Sequence, residues 1–207
     1  MRVLFEHLRR FATSTVLSVA LGAAPGLRGQ DVRIRAIDGA MLAPFAPDGA
    51  ASVTFFVATD CPISNSYAPE IQRICRDYGT RGVSCSLIYE DVDSGATTGH
   101  LDDAVRRHLT EFKYAGIPAA VDRTRAVAKA GGATVTPEAV VVDHNGAARY
   151  RGRIDNFYAE LGKPRQTITE RDLRDALDAI LGGRSVARPE TEALGCFIVD
   201  PTLLRKK

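Results

Sequence analysis

Cys61 occupies the position in this chain where a sulfur is best placed to react. It follows an apolar run, Val53 to Val57, that reads as a buried strand. It precedes Glu70 to Tyr78, where Ile71, Ile74, Cys75 and Tyr78 recur at helical spacing. A cysteine at the junction of a strand and a helix meets unpaired backbone N–H groups and the positive end of the helix dipole, and both favour a thiolate. Ser64 and the backbone N–H groups are in reach to hydrogen-bond that sulfur, whereas the carboxylate of Asp60 opposes its ionisation. For this chemistry the sulfur must also be open to solvent.

Three further cysteines are present. Cys75, on the apolar helix face, and Cys85, in the following strand Val83 to Tyr89, read as small core residues that could also bond to each other. Cys196 lies in a Gly-Cys turn beyond the last helix, as a resolving thiol for Cys61 or as a packed tail residue. Four cysteines are too few for a disulfide scaffold, and their spacing is not that of a zinc site.

The remaining elements are those that must hold Cys61. Val32 to Ile37 alternates as an edge strand. Asp38-Gly39 and Pro47-Asp48-Gly49 are turns. Glu90 to Gly95 reads as a solvated acidic loop, since a calcium loop needs oxygen ligands at fixed offsets. A helix runs from a Thr98 cap to about Phe112, with Leu101, Val105, His108 and Phe112 on one face. Ile117 to Val121 is a further strand, at an edge or starting at Pro118, and Arg123 to Ala130 a short helix. Ala139 to Val142 is a strand turned back by Asn145-Gly146 onto Ala147 to Gly152. Arg149, Arg151 and Arg153 share one face of that strand, as a solvated edge or with one arginine near Cys61. Residues 154–168 look irregular, and Glu170 to Leu181 forms a last amphipathic helix ended by Gly182-Gly183.

The order strand, Cys61-Pro62-Ile63-Ser64, helix, Ala68-Pro69 resembles the exported thioredoxin-like and redoxin (AhpC/TSA-type) proteins. So does Thr136-Pro137 ahead of the next strand. Asp60 stands where that family usually has Trp, and Ser64 where it has the second Cys, giving a Cys-x-x-Ser variant. The resemblance implies an α/β thioredoxin-like fold, with a central mixed β-sheet flanked by helices on both faces. It implies a cis Thr136–Pro137 bond beside Cys61, which would present backbone for pairing with an extended partner chain.

The first thirty residues carry a surplus of three positive charges, and the rest of the chain is near neutral, so nothing marks a nucleic-acid surface. Arg2, Arg9 and Arg10 precede an apolar run from Phe11 to Leu21 and then small residues. That is the order of a signal peptide; an uncleaved anchor is the alternative. Residues 1–30 are thus a signal peptide, 31–186 the thioredoxin-like domain and 187–207 a tail carrying Cys196.

The functional expectation is an exported, periplasmic or secreted thiol oxidoreductase. Cys61 attacks a disulfide and Cys196 or an external thiol reductant resolves the mixed disulfide. Thr59, Asp60, Pro62, Ser64, Thr136 and Pro137 support the site. No cofactor, metal or nucleic acid is implied; copper binding in the manner of a related fold would need a second thiol at Ser64 or Asn65. Two alternatives keep the fold. One is a peroxiredoxin-like thiol peroxidase with an antioxidant role, for which Thr59 lies one residue too close to Cys61. The other is a non-catalytic binding module.

Overall fold

The computed structural model describes residues 32–91 and 99–200. The expected signal peptide, the Thr98 cap, most of the acidic loop and the last seven residues lie outside that range. The elements run β1 (Ile34–Arg35), β2 (Met41–Leu42), β3 (Ala51–Val57), α1 (Pro62–Ser66), α2 (Ala68–Gly79), β4 (Val83–Tyr89) and α3 (Gly99–Glu111). Then come β5 (Ala119–Val121), α4 (Ala126–Gly131), β6 (Val135–Thr136), β7 (Glu138–Asp143) and β8 (Ala148–Gly152). Last are β9 (Tyr158–Glu160), β10 (Lys163–Pro164), α5 (Asp172–Leu181) and β11 (Cys196–Phe197).

Five strands form the central sheet in the order β5-β4-β3-β7-β8. β3, β4 and β5 are parallel, and β7 and β8 run antiparallel to their neighbours, so the sheet is mixed as expected. Every residue of β3 is buried, because both of its faces are covered. Val53, Phe55 and Val57 join Leu87, Tyr89, Ala139 and Val141 in a core roofed by Ile71 and Ile74 of α2, Val105 of α3 and Leu173 and Leu177 of α5. Phe56, Ile88, Val140 and Val142 face the other way, under Val127 and Ala128 of α4 and under Phe45. The two-residue side-chain period of a strand thus feeds two cores from one central ribbon.

Several elements differ from the sequence expectation. Val32 to Ile37 is not an edge strand of the sheet. The turn at Asp38-Gly39 folds β1 onto β2 as a separate hairpin, which touches β5 through Ile37 N–H to Ala119 carbonyl at 2.8 Å. The short helix begins at Ala126 rather than Arg123. Arg125 has a left-handed φ of 59°, and the Asp122 carboxylate accepts from the N–H groups of Ala126, Val127 and Ala128. Residues 154–168 include the β9–β10 hairpin. Cys196 is in a strand, not a turn: β11 pairs antiparallel with β6, Cys196 opposite Thr136 and Phe197 opposite Val135.

Cys75 and Cys85 form a disulfide that ties α2 to β4, with Cα atoms 5.8 Å apart. It closes a loop of ten residues, which in the chain-entropy account stabilises by about 2–3 kcal/mol. The Cys75→Ala, Cys85→Ala double variant is therefore expected to lose about that much, read as a lower urea midpoint at unchanged slope. An unchanged midpoint under non-reducing conditions would show that the bond adds nothing.

Candidate active site

Cys61 is the N-cap of α1, and its sulfur accepts from the Ser64 N–H at 3.4 Å. Pro62 opens that helix, and the chain bends at Tyr67 before Ala68-Pro69 starts α2. Across the site, the Thr136–Pro137 peptide is cis. Cys61 Sγ donates to the Thr136 carbonyl at 3.2 Å, so Cys61 and the residue before Pro137 are in direct contact.

In one respect the site is not as expected. Cys61 is 0% exposed, so its sulfur is not open to solvent. The tail runs across this site. The backbone of residues 189–191 pairs with Arg151 of β8: Arg151 N–H donates to the Pro189 carbonyl at 2.9 Å, and Thr191 N–H to the Arg151 carbonyl at 3.0 Å. The chain then crosses to β6, where Ile198 N–H donates to the Thr134 carbonyl at 2.9 Å. Gly195 passes so close to the cis peptide that a Cβ there would overlap the Thr136 carbonyl. Gly152 is equally tight against Thr191.

This crossing brings Cys196 onto Cys61. Although Cys196 is exposed as a residue, its thiol is pushed up to about 12. Local desolvation of its sulfur is the largest cause, followed by its interaction with Cys61 and the charge of Asp60. Cys196 therefore holds its proton. Both sulfurs are free thiols.

The supporting residues divide. Thr136 is buried, and its backbone rather than its hydroxyl meets Cys61. Ser64 is buried, and its hydroxyl turns away to accept from Ala58 N–H at 3.4 Å. Asp60 and Pro62 are exposed at the rim. Thr59 is held by the Asp91 carboxylate, through both its N–H and its hydroxyl.

Asp91 was not legible as a site residue, nor were Asn65, His108 and Arg125. The acidic loop is not a solvated turn at its start: Glu90 and Asp91 are 5% and 8% exposed. Arg125 is buried beside them. It gives its protons to the carbonyls of Asp122, Glu90, Asp91 and, through Nε at 3.0 Å, Val199 of the tail. On the other side of the loop, Tyr89 hydroxyl meets His108 Nδ1 at 2.9 Å, and His108 Nε2 meets Asn65 Oδ1 at 2.8 Å. Asn65 Nδ2 donates to the Thr59 carbonyl at 3.0 Å. Burial lowers the His108 pKa, so it stays neutral, one ring nitrogen donating and the other accepting. A polar residue within the apolar stripe of α3 was the one sequence signal of this network. Loop 58–61 is thus clamped from both flanks.

Neither Arg149 and Arg151 of β8 nor Arg153 just beyond it bonds Cys61. Arg149 lies by Asp143, Arg151 bonds Gly132 carbonyl and Glu190, and Arg153 bonds Glu170 and Asp172. Among the described residues no cluster of His, Cys, Asp or Glu could hold a metal, and no helix is long and apolar enough to cross a membrane.

No protein-family model matches the chain, and no curated protein matches it. Solved structures do. A hypothetical protein of Sinorhizobium meliloti is 27% identical, with a TM-score of 0.70, over 84% of this chain and 92% of that one. An uncharacterized conserved protein of Geobacillus kaustophilus is 29% identical, with a TM-score of 0.69, over 86% of this chain and 93% of that one. A secreted disulfide oxidoreductase of Mycobacterium tuberculosis superposes with a TM-score of 0.50 at 13% identity, over 72% of this chain and 95% of that one.

Glu90 gives the stability of the fold a pH dependence. Burial and the neighbouring Asp122 carboxylate push its pKa up to about 9, against the opposing charge of Arg125. The guanidinium, 3.3 Å from its carboxylate, spends its protons on carbonyls, leaving both Glu90 oxygens without a donor. The folded protein therefore holds a proton that the unfolded chain releases at an ordinary carboxylate pKa. Glu90's contribution to stability therefore falls as pH rises from about 5 to about 9. Glu90→Gln is expected to flatten that fall, measured as urea midpoints across the range. An unchanged slope would assign the pH dependence elsewhere.

Proposed function

The fold is thioredoxin-like, and on it we propose a thiol–disulfide oxidoreductase that works through Cys61 and Cys196, a Cys-x-x-Ser variant whose second thiol comes from the tail. The observation that supports this reading is the pairing of β11 with β6, in which Cys196 lies opposite Thr136, the residue whose carbonyl meets the Cys61 sulfur. The Cys61 thiolate attacks one sulfur of a substrate disulfide. A Cys61–substrate bond forms, and the other substrate sulfur leaves as a thiolate. Cys196 then loses its proton and attacks the Cys61 sulfur. The Cys61–Cys196 disulfide forms and the reduced substrate departs. An external dithiol restores both thiols; the same steps in reverse oxidise a substrate dithiol.

The electrostatics order these events. Desolvation holds the proton on Cys196, and any charge on Cys61 adds to that hold. Once Cys61 is locked in a mixed disulfide, that charge is gone and Cys196 ionises more readily, at the step that needs it. Thr59, Asp60, Pro62, Ser64, Thr136 and Pro137 act as the frame of this site. Export to a periplasmic or extracellular compartment is part of the reading. It is supported by the Cys75–Cys85 disulfide, which persists in oxidising surroundings, and by the charged-then-apolar N-terminal sequence.

Reduction of a protein disulfide by dithiothreitol tests it. Cys61→Ser is expected to abolish turnover. Cys196→Ser should slow it by on the order of tenfold or more and accumulate a covalent Cys61–substrate adduct visible by mass. Wild-type rates in Cys196→Ser, with no adduct, would remove Cys196 from the cycle.

A further inference from the structure

We propose that the tail strand 194–197 is a removable occupant of a groove that receives an extended, cysteine-bearing segment of another protein, and that this groove selects glycine immediately before the reacting cysteine. The inference rests on the exchange reading above and names its substrate class.

Cys61 is wholly buried, and the Gly195-Cys196 strand lies on the same Thr136 backbone that its sulfur meets, so the seated tail is the cover that has to move. Any external sulfur that bonds to Cys61 must take the place that Cys196 holds. What fits there is therefore read from what now fills it. Three features define the fit. The backbone edge of β6 has no partner other than β11 among the described residues, so a replacement strand gains the same main-chain hydrogen bonds. The residue before the cysteine lies against the Thr136 carbonyl, where a Cβ would overlap the oxygen and its carbon. The residue before that, Leu194, borders a cavity of about 160 Å³ lined also by Tyr67, Pro137, Ile154 and Asp155, so size is tolerated there.

The occupant is lightly held over the site itself. Phe197 is 81% exposed and Gly195 has no side chain, so this stretch buries little apolar surface. Its anchors lie to either side: residues 189–191 on Arg151, and Ile198 and Val199 on Thr134 and Arg125. A strand held at its middle by the pairing of two residues and at each flank by separate hydrogen bonds to its backbone can lift at the middle and return.

Two measurements test the proposal. In the full chain, Gly195→Val is expected to unseat the strand and raise the rate of Cys61 alkylation by iodoacetamide about tenfold or more, an unseating cost of about 1.4 kcal/mol or more. An unchanged rate overturns the tail as the cover. Next, the Cys196→Ser protein is mixed with a synthetic peptide of residues 192–199 and with its Gly195→Ala counterpart. Each peptide cysteine is held in a mixed disulfide with thionitrobenzoate. Attack by Cys61 bonds it to the peptide sulfur and releases the coloured thionitrobenzoate anion. The glycine peptide is expected to react about tenfold faster or more. Equal rates overturn the groove's selectivity and leave the exchange reading intact. Failure of both peptides, and of glutathione disulfide, to react with Gly195→Val overturns the exchange reading itself.

Discussion

The backbone of Thr136 is the point on which the site depends. Its carbonyl accepts the Cys61 thiol, and its residue is paired with Cys196. It is fixed from behind by Glu138, whose buried carboxylate accepts from the N–H groups of Thr134 and Val135. One stretch of main chain thus presents its two edges to two sulfurs that lie 135 residues apart in sequence. A side chain doing this work would have to be ordered at an entropic cost, whereas a strand end continuous with β7 is already ordered by the central sheet.

Around that point the polar groups are arranged to hold a loop still. The chain Tyr89, His108, Asn65, Thr59 and Asp91 runs across loop 58–61 without a gap, and each member is buried or half-buried. Such a network rigidifies when every member is satisfied. Beside this network Glu90 has no hydrogen-bond donor for either carboxylate oxygen, and burial with the nearby Asp122 carboxylate makes it hold a proton. Arg125 joins this region to the Val199 carbonyl, so the tail's far end and the acidic loop share one cation.

How much of this was legible in the sequence follows from the range of each interaction. The junction at Cys61 was plain, because an apolar run, a helix start and a helical stripe are local patterns. The mixed sheet with helices on both faces followed from their alternation and from the resemblance carried by Cys61, Pro69 and Pro137. The start of the acidic loop was misread because composition reports hydrophilicity, not burial. Glu90 is buried by an arginine 35 residues away. The start of α4 was misplaced because the left-handed φ of Arg125 is tertiary in origin: its guanidinium is drawn into a nest of carbonyls. Gly195-Cys196 looked like a turn because glycine ordinarily signals one. Here glycine is needed for closeness between two backbones, and no window of sequence contains the second.

The two tight glycine contacts, Gly152 against Thr191 and Gly195 against Thr136, have a joint consequence for the span between them. Each pins one end of a stretch only four residue steps long, so that stretch works as a ruler. A strand slipped by a single residue turns every side chain to its opposite face. Lengthening or shortening the ruler by one would bring Gly195 or the phenyl ring of Phe197 over Cys61, and the two thiols would never meet. The spacing of this span, more than the chemistry of either cysteine, decides whether Cys196 or another residue lies opposite Thr136.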